Sequence, residues 1–150
     1  AWGPTALLPI FQMLGTNYLR KDILTRFADD KHRYDAFTKI AFVYPHAVAS
    51  LKVGQGVKSE GELVISGTKG YIYVPAPWWK TEYFEVRYEN PQNNKRYFYQ
   101  LDGEGLRYEL LTFFKAISTG SNFTYVSDDI SHSITQIIED FYAQRDMTII

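Results

Sequence analysis

Residues able to do chemistry are sparse in this chain and poorly spaced for it. The three histidines, His32, His46 and His132, lie far apart and lack the short spacings that bring metal ligands together, so no metal site is expected. His46 stands at the start of a strand pattern and reads as an exposed or satisfied side chain rather than a base. Cysteine is absent, which removes thiolate ligands, a thiol nucleophile and any disulfide framework. Asp29, Asp30, Asp102 and Glu104 fall in loop segments, where solvated charge is a better account than acid–base work. No nucleophile elbow or serine–lysine pair occurs. Gly54-Gln-Gly56 has the opening spacing of a dinucleotide fingerprint, but Ser59 stands where the third glycine belongs, and a strand follows instead of a helix. No P-loop occurs either. What remains is a surface: Trp78 and Trp79 are adjacent, and they either pack inside or offer a flat apolar face to a sugar ring, a nucleotide base or a second subunit.

The stretch that positions them runs from Gly61 to Trp79. Two apolar runs, Leu63–Ile65 and Tyr71–Val74, flank Ser66-Gly-Thr-Lys-Gly70, which predicts a β-hairpin with a bulged or slightly long turn. Pro75 and Pro77 end the second strand, because proline cannot donate to a ladder, and they deliver the tryptophans at its exit. Upstream, Gly3–Gly15 predicts a helix with Leu7, Leu8, Phe11 and Leu14 on one stripe and Gly15 after its end, although Pro9 lies inside it. Strands are expected over Asp22–Ala28, Tyr34–Tyr44 and His46–Val53, the last with Ala47, Ala49, Leu51 and Val53 on one face. Thr81–Glu89 and Lys95–Leu101 predict a further hairpin around Asn90-Pro-Gln-Asn-Asn94, with aromatic residues on both faces. Two amphipathic helices close the chain. Leu106, Leu110, Phe113, Phe114 and Ile117 stripe the first, which Gly120 stops; Ser127 caps the second, striped by Ile130, Ile134, Ile137, Ile138 and Phe141. Both stripes are expected in the core. The predicted fold is α+β: an open, mostly antiparallel sheet of about six strands with helices packed on one face.

Composition narrows the classes of function. One domain is expected for 150 residues, of which 45% are hydrophobic and 22% charged, the mix of a soluble globular protein. A net charge of −1 provides no field to attract nucleic acid or an anionic membrane. No apolar run reaches the roughly 18 residues of a membrane helix. Aromatic residues reach 17%, a surplus that suits a sheet covered on two faces. One helix-free face therefore needs a partner or ligand, since exposed aromatic surface of that size invites aggregation. Asn122-Phe-Thr124 matches a glycosylation sequon, but nothing else indicates secretion, and a cytoplasmic location is expected. The chain opens without an initiator Met, inside an apolar pattern, which suggests a fragment of a longer protein.

Four segments in order carry a resemblance. The run Glu62-Leu-Val-Ile-Ser-Gly-Thr-Lys-Gly-Tyr-Ile-Tyr-Val-Pro-Ala-Pro-Trp-Trp79 is similar to the hairpin signature in the C-terminal domain of the glucose–fructose oxidoreductase / inositol dehydrogenase (Gfo/Idh/MocA) family. Gly103-Glu-Gly-Leu-Arg-Tyr-Glu-Leu110, Phe114-Lys-Ala-Ile-Ser-Thr-Gly120 and Ser127–Tyr142 follow in the family's order, so the resemblance covers nearly the whole chain. It implies the substrate-binding and dimerisation domain of an oxidoreductase whose N-terminal Rossmann domain binds NAD or NADP. The implied substrates are sugars, polyols or nucleotide sugars, the chemistry is hydride transfer, and the bare sheet face pairs in a homodimer. No cofactor is expected on this chain alone, and neither nucleic acid nor membrane is an expected partner. By position, the resemblance places Trp79 at a subunit interface and Tyr108 near the mouth of the site.

The departures from the family pattern matter as much. The Glu-Lys-Pro motif carrying the family's lysine is absent. Where members have Asp-x-Gly-x-His, or Tyr at the last position, this chain reads Ala1-Trp-Gly-Pro-Thr5. Thr5 thus stands at the acid–base position, and its hydroxyl hydrogen-bonds but does not titrate near neutral pH. The parent protein is therefore expected to use another base or to lack dehydrogenase activity, and this chain alone is not expected to catalyse. A non-catalytic carbohydrate-binding module built on Trp78, Trp79 and sheet tyrosines, and a structural dimerisation module, are the alternatives.

Overall fold

The computed structural model describes residues 2–29, 31, 34–103, 105–120 and 124–150. Expectations attached to Ala1, Asp30, His32, Glu104 and Asn122 lie outside these residues. The α+β class holds, with eight strands in two four-stranded sheets where about six in one sheet were expected. The chain divides into two compact units, Ala1–Ser59 with Tyr125–Ile150, and Glu60–Thr124.

The first unit contains helix α1 (Gly3–Leu14), strands β1 (Arg20–Phe27), β2 (Asp35–Val43) and β3 (Val48–Val53), helix α3 (Asp128–Tyr142) and strand β8 (Met147–Ile149). Its sheet runs β3-β2-β1-β8. Alternation along β1 turns Lys21, Ile23 and Thr25 inward. Register then sets Ile23 against Ile40 and Ile40 against Leu51, a buried row across three strands. Leu7 and Phe11 of α1 and Ile137 of α3 cover that row, so both helices lie on one sheet face. Phe11 and Phe42 meet edge to face at 5.5 Å, and Tyr18 packs on Phe42 at 5.1 Å. The Tyr44 hydroxyl donates to the Gly15 carbonyl at 2.8 Å, tying the end of β2 to the end of α1. Helix α1 continues through Pro9. An interior proline costs about 3 kcal/mol, and burying two large side chains such as Leu7 and Phe11 contributes roughly 1.5–3 kcal/mol each, so tertiary burial wins. Strand β8 has no counterpart in the sequence pattern. Its three residues are too short to show alternation, and they pair in parallel with β1, Ile23 against Met147.

The second unit contains strands β4 (Leu63–Gly67), β5 (Gly70–Val74), β6 (Tyr83–Tyr88) and β7 (Lys95–Phe98), then helix α2 (Leu106–Thr119). Its sheet is an antiparallel meander in chain order. None of its described residues is buried. The core placement expected for the α2 stripe is corrected here: Leu106, Leu110, Phe113, Phe114 and Ile117 are all between 45% and 64% exposed. Helical periodicity gathers these residues on one face, but it says nothing about what covers that face. Most of the α3 stripe behaves as expected, with Ile137 buried and Ile130, Ile134 and Phe141 packed on the core, whereas Ile138 is half-buried outside that cluster. The Ser127 hydroxyl caps α3 by accepting from the Ile130 N–H, and Asp128 and Asp129 sit in its first turn.

A buried ion pair, Lys21 with Asp140, flanked by two exposed charges, ties β1 to α3 in the first unit. Lys21 of β1 lies 2.8 Å from Asp140 of α3 and 2.5 Å from Asp146, which precedes β8. Arg145 reaches Asp140 at 3.2 Å, and the Gln136 amide donates to it. Burial opposes the charge on Lys21, but hydrogen bonds and attraction from Asp140 and Asp146 outweigh it, and its pKa is raised. Burial likewise opposes charge on Asp140, yet Lys21, Gln136 and Arg145 bring its pKa below the ordinary value. A lowered carboxyl pKa contributes stability that is complete above about pH 4 and lost as pH falls through the folded value. A raised lysine pKa contributes stability that is complete below about pH 10 and lost as pH rises through the folded value. Lys21→Met is therefore expected to cost about 3 kcal/mol at neutral pH, since Arg145 and Gln136 still reach the stranded carboxylate. Urea midpoints across a pH series check this: the loss should shrink as acid neutralises Asp140, and a pH-independent loss would contradict it.

Candidate functional site

The hairpin of β4 and β5 turns on Thr68 and Lys69 alone, tighter than expected, with Gly67 opposite Gly70. Gly70 is required by space: a Cβ there would collide with the Arg87 carbonyl oxygen of the neighbouring strand. After β5 the chain passes Pro75 and the cis Ala76–Pro77 peptide into a single 3-10 turn, Trp78–Lys80. The Trp78 N–H donates to the Gly61 carbonyl at 2.9 Å, closing the stretch on itself. The two indoles meet edge to face at 5.9 Å. Trp78 is half-buried, whereas Trp79 is 49% exposed. Of the two roles open to a tryptophan pair, Trp78 takes the packing role and Trp79 presents apolar surface.

Tyr108 lies in the first turn of α2 in the same unit. Its hydroxyl accepts from the Asp102 N–H at 3.0 Å, leaving its own hydrogen to donate. Thr5 lies in the first turn of α1, exposed, in the first unit. Trp78 and Trp79 are thus brought together, Tyr108 shares their unit, and Thr5 belongs to the other.

The sequence reasoning missed a polar cluster on the β4–β7 sheet. Register places Tyr71 opposite Arg87, Tyr73 opposite Glu85, and Glu85 opposite Arg96, all on one face. Glu85 divides its carboxylate between two guanidinium groups: Arg87 Nε donates to Oε2 at 2.6 Å and Arg96 Nε to Oε1 at 2.8 Å. The Arg87 guanidinium lies over the Tyr73 ring at 4.4 Å and Arg96 over Tyr83 at 4.8 Å. Hydrogen bonds from Arg87 and then Arg96 hold the Glu85 carboxyl below its ordinary value. Tyr73 donates to Glu62 at 2.8 Å, which raises the phenol pKa and keeps it neutral. The strand alternation Tyr83, Glu85, Arg87 signalled a shared face, but the pairing with Arg96 needed the register. The opposite face is apolar, with Ile65, Ile72, Val86, Phe84 and Tyr97, the last two stacked at 5.0 Å.

The glycines of the rejected fingerprint have a structural job. A Cβ on Gly54 would stand 2.6 Å from the Ala36 carbonyl oxygen, and the Gly56 N–H donates to that oxygen at 3.0 Å. They pack on a strand and do not cradle a phosphate. Among the described residues, no group of three or more His, Asp or Glu lies together as metal ligands, and no helix is long and apolar enough to cross a membrane.

No protein-family model and no curated protein sequence matches the chain. Its fold is similar to part of several solved oxidoreductases. An aldose-aldose oxidoreductase from Caulobacter crescentus, complexed with glycerol, matches at a TM-score of 0.73 and 16% identity, over 94% of this chain and 43% of its own. A 3-ketoreductase from Actinomadura kijaniata with NADP and TDP-benzene matches at 0.71 and 9% identity, over 99% and 46%. An oxidoreductase from Agrobacterium radiobacter with NAD+, L-tartaric acid and magnesium matches at 0.71 and 16% identity, over 97% and 47%. The chain therefore spans less than half the length of each of these structures.

The unequal setting of the two indoles yields a stability test. Trp78→Ala is expected to lower stability by about 2 kcal/mol through lost burial, and Trp79→Ala by less than about 1 kcal/mol. Urea unfolding of each variant measures the difference; equal losses would contradict the division of roles.

Proposed function

We propose that this chain is the substrate-binding and dimerisation half of an NAD(P)-dependent oxidoreductase of the Gfo/Idh/MocA type, acting in the cytoplasm on a sugar, polyol or nucleotide sugar. One observation carries the proposal: nearly all of the chain superposes on less than half of oxidoreductases solved with NAD+ or NADP. The four sequence segments similar to that family, in its order, support it further.

In this proposal the nicotinamide cofactor sits on an N-terminal Rossmann domain of the same protein. The present residues do not fit a dinucleotide, because Gly54 and Gly56 are occupied against Ala36. What this chain contributes is position. Trp79 supplies apolar surface at the substrate wall or subunit interface, and Tyr108 a hydroxyl hydrogen at the mouth of the site. Thr5 hydrogen-bonds without exchanging a proton near neutral pH, so any base for hydride transfer lies elsewhere in the parent. The apolar face of the β4–β7 sheet, with Tyr97 46% exposed, serves as the homodimer contact.

The alternative is a non-catalytic carbohydrate-binding module, favoured by the exposed indole of Trp79. Sequencing the native gene upstream of codon 1 separates the two. A strand–Gly-x-Gly-x-x-Gly–helix unit followed by Glu-Lys-Pro is expected; an unrelated domain or a nearby start codon would overturn the oxidoreductase assignment. The dimer contact has its own test. Tyr97→Asp is expected to give monomers in sedimentation equilibrium while leaving substrate affinity intact, and a persistent dimer would remove that face from the interface.

A further inference from the structure

Strand β7 ends its sheet. It pairs with β6 on one side, and among the described residues no strand pairs with the other. Register sets Tyr99 beyond the Phe98–Tyr83 pair, opposite Glu82, and the Tyr99 N–H donates to the Glu82 carbonyl at 2.7 Å. Hydrogen-bonded and non-hydrogen-bonded pairs alternate along an antiparallel ladder, so Lys95 and Tyr97 also turn their main-chain groups toward β6. The N–H and C=O groups of Arg96 and Phe98 therefore point away from the sheet. Every residue from Lys95 to Gln100 is exposed, with Phe98 at 73% and Tyr99 at 61%.

Free edges are usually blunted by a proline, a bulge or a bare charge. Strand β7 contains no proline, and its register with β6 has no shift. Arg96 is balanced by Glu85, so Lys95 at the start of the strand is the one charge left.

An antiparallel copy of β7 fits this edge. A two-fold axis at Tyr97 sets Arg96 of each copy opposite Phe98 of the other. These are the residues with outward main-chain groups, so about four hydrogen bonds form between the copies. Lys95 then meets Tyr99, and Tyr97 meets Tyr97 in a non-hydrogen-bonded pair, where side chains lie closest. Each cation faces a ring and no like charges are opposed. An axis at Arg96 would oppose that arginine to itself. The axis at Tyr97 also extends the stack of Phe84 on Tyr97, 5.0 Å apart, into a continuous row of rings across the join.

We infer that β7 is an interaction strand whose partner is β7 of a second copy of this chain, joining the two sheets into one. Both copies use the same surface, so the contact closes on itself. It goes beyond the face contact proposed above and does not require it, because edge pairing leaves both sheet faces open.

Disulfide trapping in the full-length protein tests the join, since this chain has no cysteine of its own. Opposed residues of a non-hydrogen-bonded pair lie about 4.5 Å apart at Cα, within disulfide reach, whereas sheets stacked face to face lie about 10 Å apart, beyond it. Tyr97→Cys under mild oxidation is expected to give a covalent dimer, with the bond mapped to position 97 by mass spectrometry. Phe84→Cys, one strand further in and about 14 Å from its counterpart, is expected to stay uncrosslinked. Phe98→Pro removes an outward N–H, which an edge strand tolerates, and is expected to halve the native mass in sedimentation equilibrium. Val64→Pro, on the opposite edge strand β4, is expected to keep that mass. No disulfide at 97 in a protein that still dimerises, equal trapping at 84, native mass in Phe98→Pro or equal halving in Val64→Pro would each overturn the edge contact and leave the face contact standing. A native protein that is monomeric would remove both.

Discussion

Each sheet in this chain has an apolar face that must be removed from water, and the rest of the structure follows from how that is done. In the first unit the chain does it alone. The row Ile23, Ile40 and Leu51, extended by Phe42, is covered by Leu7 and Phe11 from one helix and Ile137 from another. That demand is strong enough to carry α1 through Pro9. It also brings Asp140, on the buried face of α3, onto Lys21, so that a lysine on an inward position of β1 is buried at low cost only because Asp140 and Asp146 meet it there. The same inward positions place Thr25 opposite Thr38, and their hydroxyls satisfy each other at 2.9 Å.

In the second unit the same constraint is left unmet by the described residues. Its sheet has one apolar face and one polar face, and its helix has an apolar stripe, yet nothing in it is buried. Monomeric proteins rarely leave such surface to water. In unit two the polar face is as organised as the apolar one: Glu85 sits among arginines and tyrosines at positions set by the ladder.

This distribution agrees with the scarcity of reactive groups. Hydride transfer draws its chemistry from a cofactor, and the protein supplies orientation and electrostatics. Under the proposed function this chain only orients a substrate, a task that needs no nucleophile, metal cluster or phosphate-binding glycines. The similarity in fold to oxidoreductases carries no chemistry by itself, since one fold hosts many activities, so any role for this chain has to be sought at Trp79, Tyr108 and the arginine face.

Much of the local structure was legible in the sequence. The bounds of α1 followed from Pro4, the Leu7–Phe11 spacing and Gly15; the cap of α3 followed from Ser127; the hairpins followed from glycine and asparagine turns between alternating runs. These features depend on residues within about one turn or one hairpin of each other, where sterics and periodicity decide. Other features required the folded chain. Division into two sheets, the pairing of β8 with β1, the bond between Lys21 and Asp140, and the sharing of Glu85 by Arg87 and Arg96 all join residues from different elements. Periodicity states which residues share a face, as it did for Leu106, Phe113 and Ile117, but the covering of that face is settled by packing against other segments. The sequence by itself determined the elements other than β8 and which residues share a face, and the tertiary structure decided which faces meet, because strand register and helix docking are set by contacts far apart in the chain.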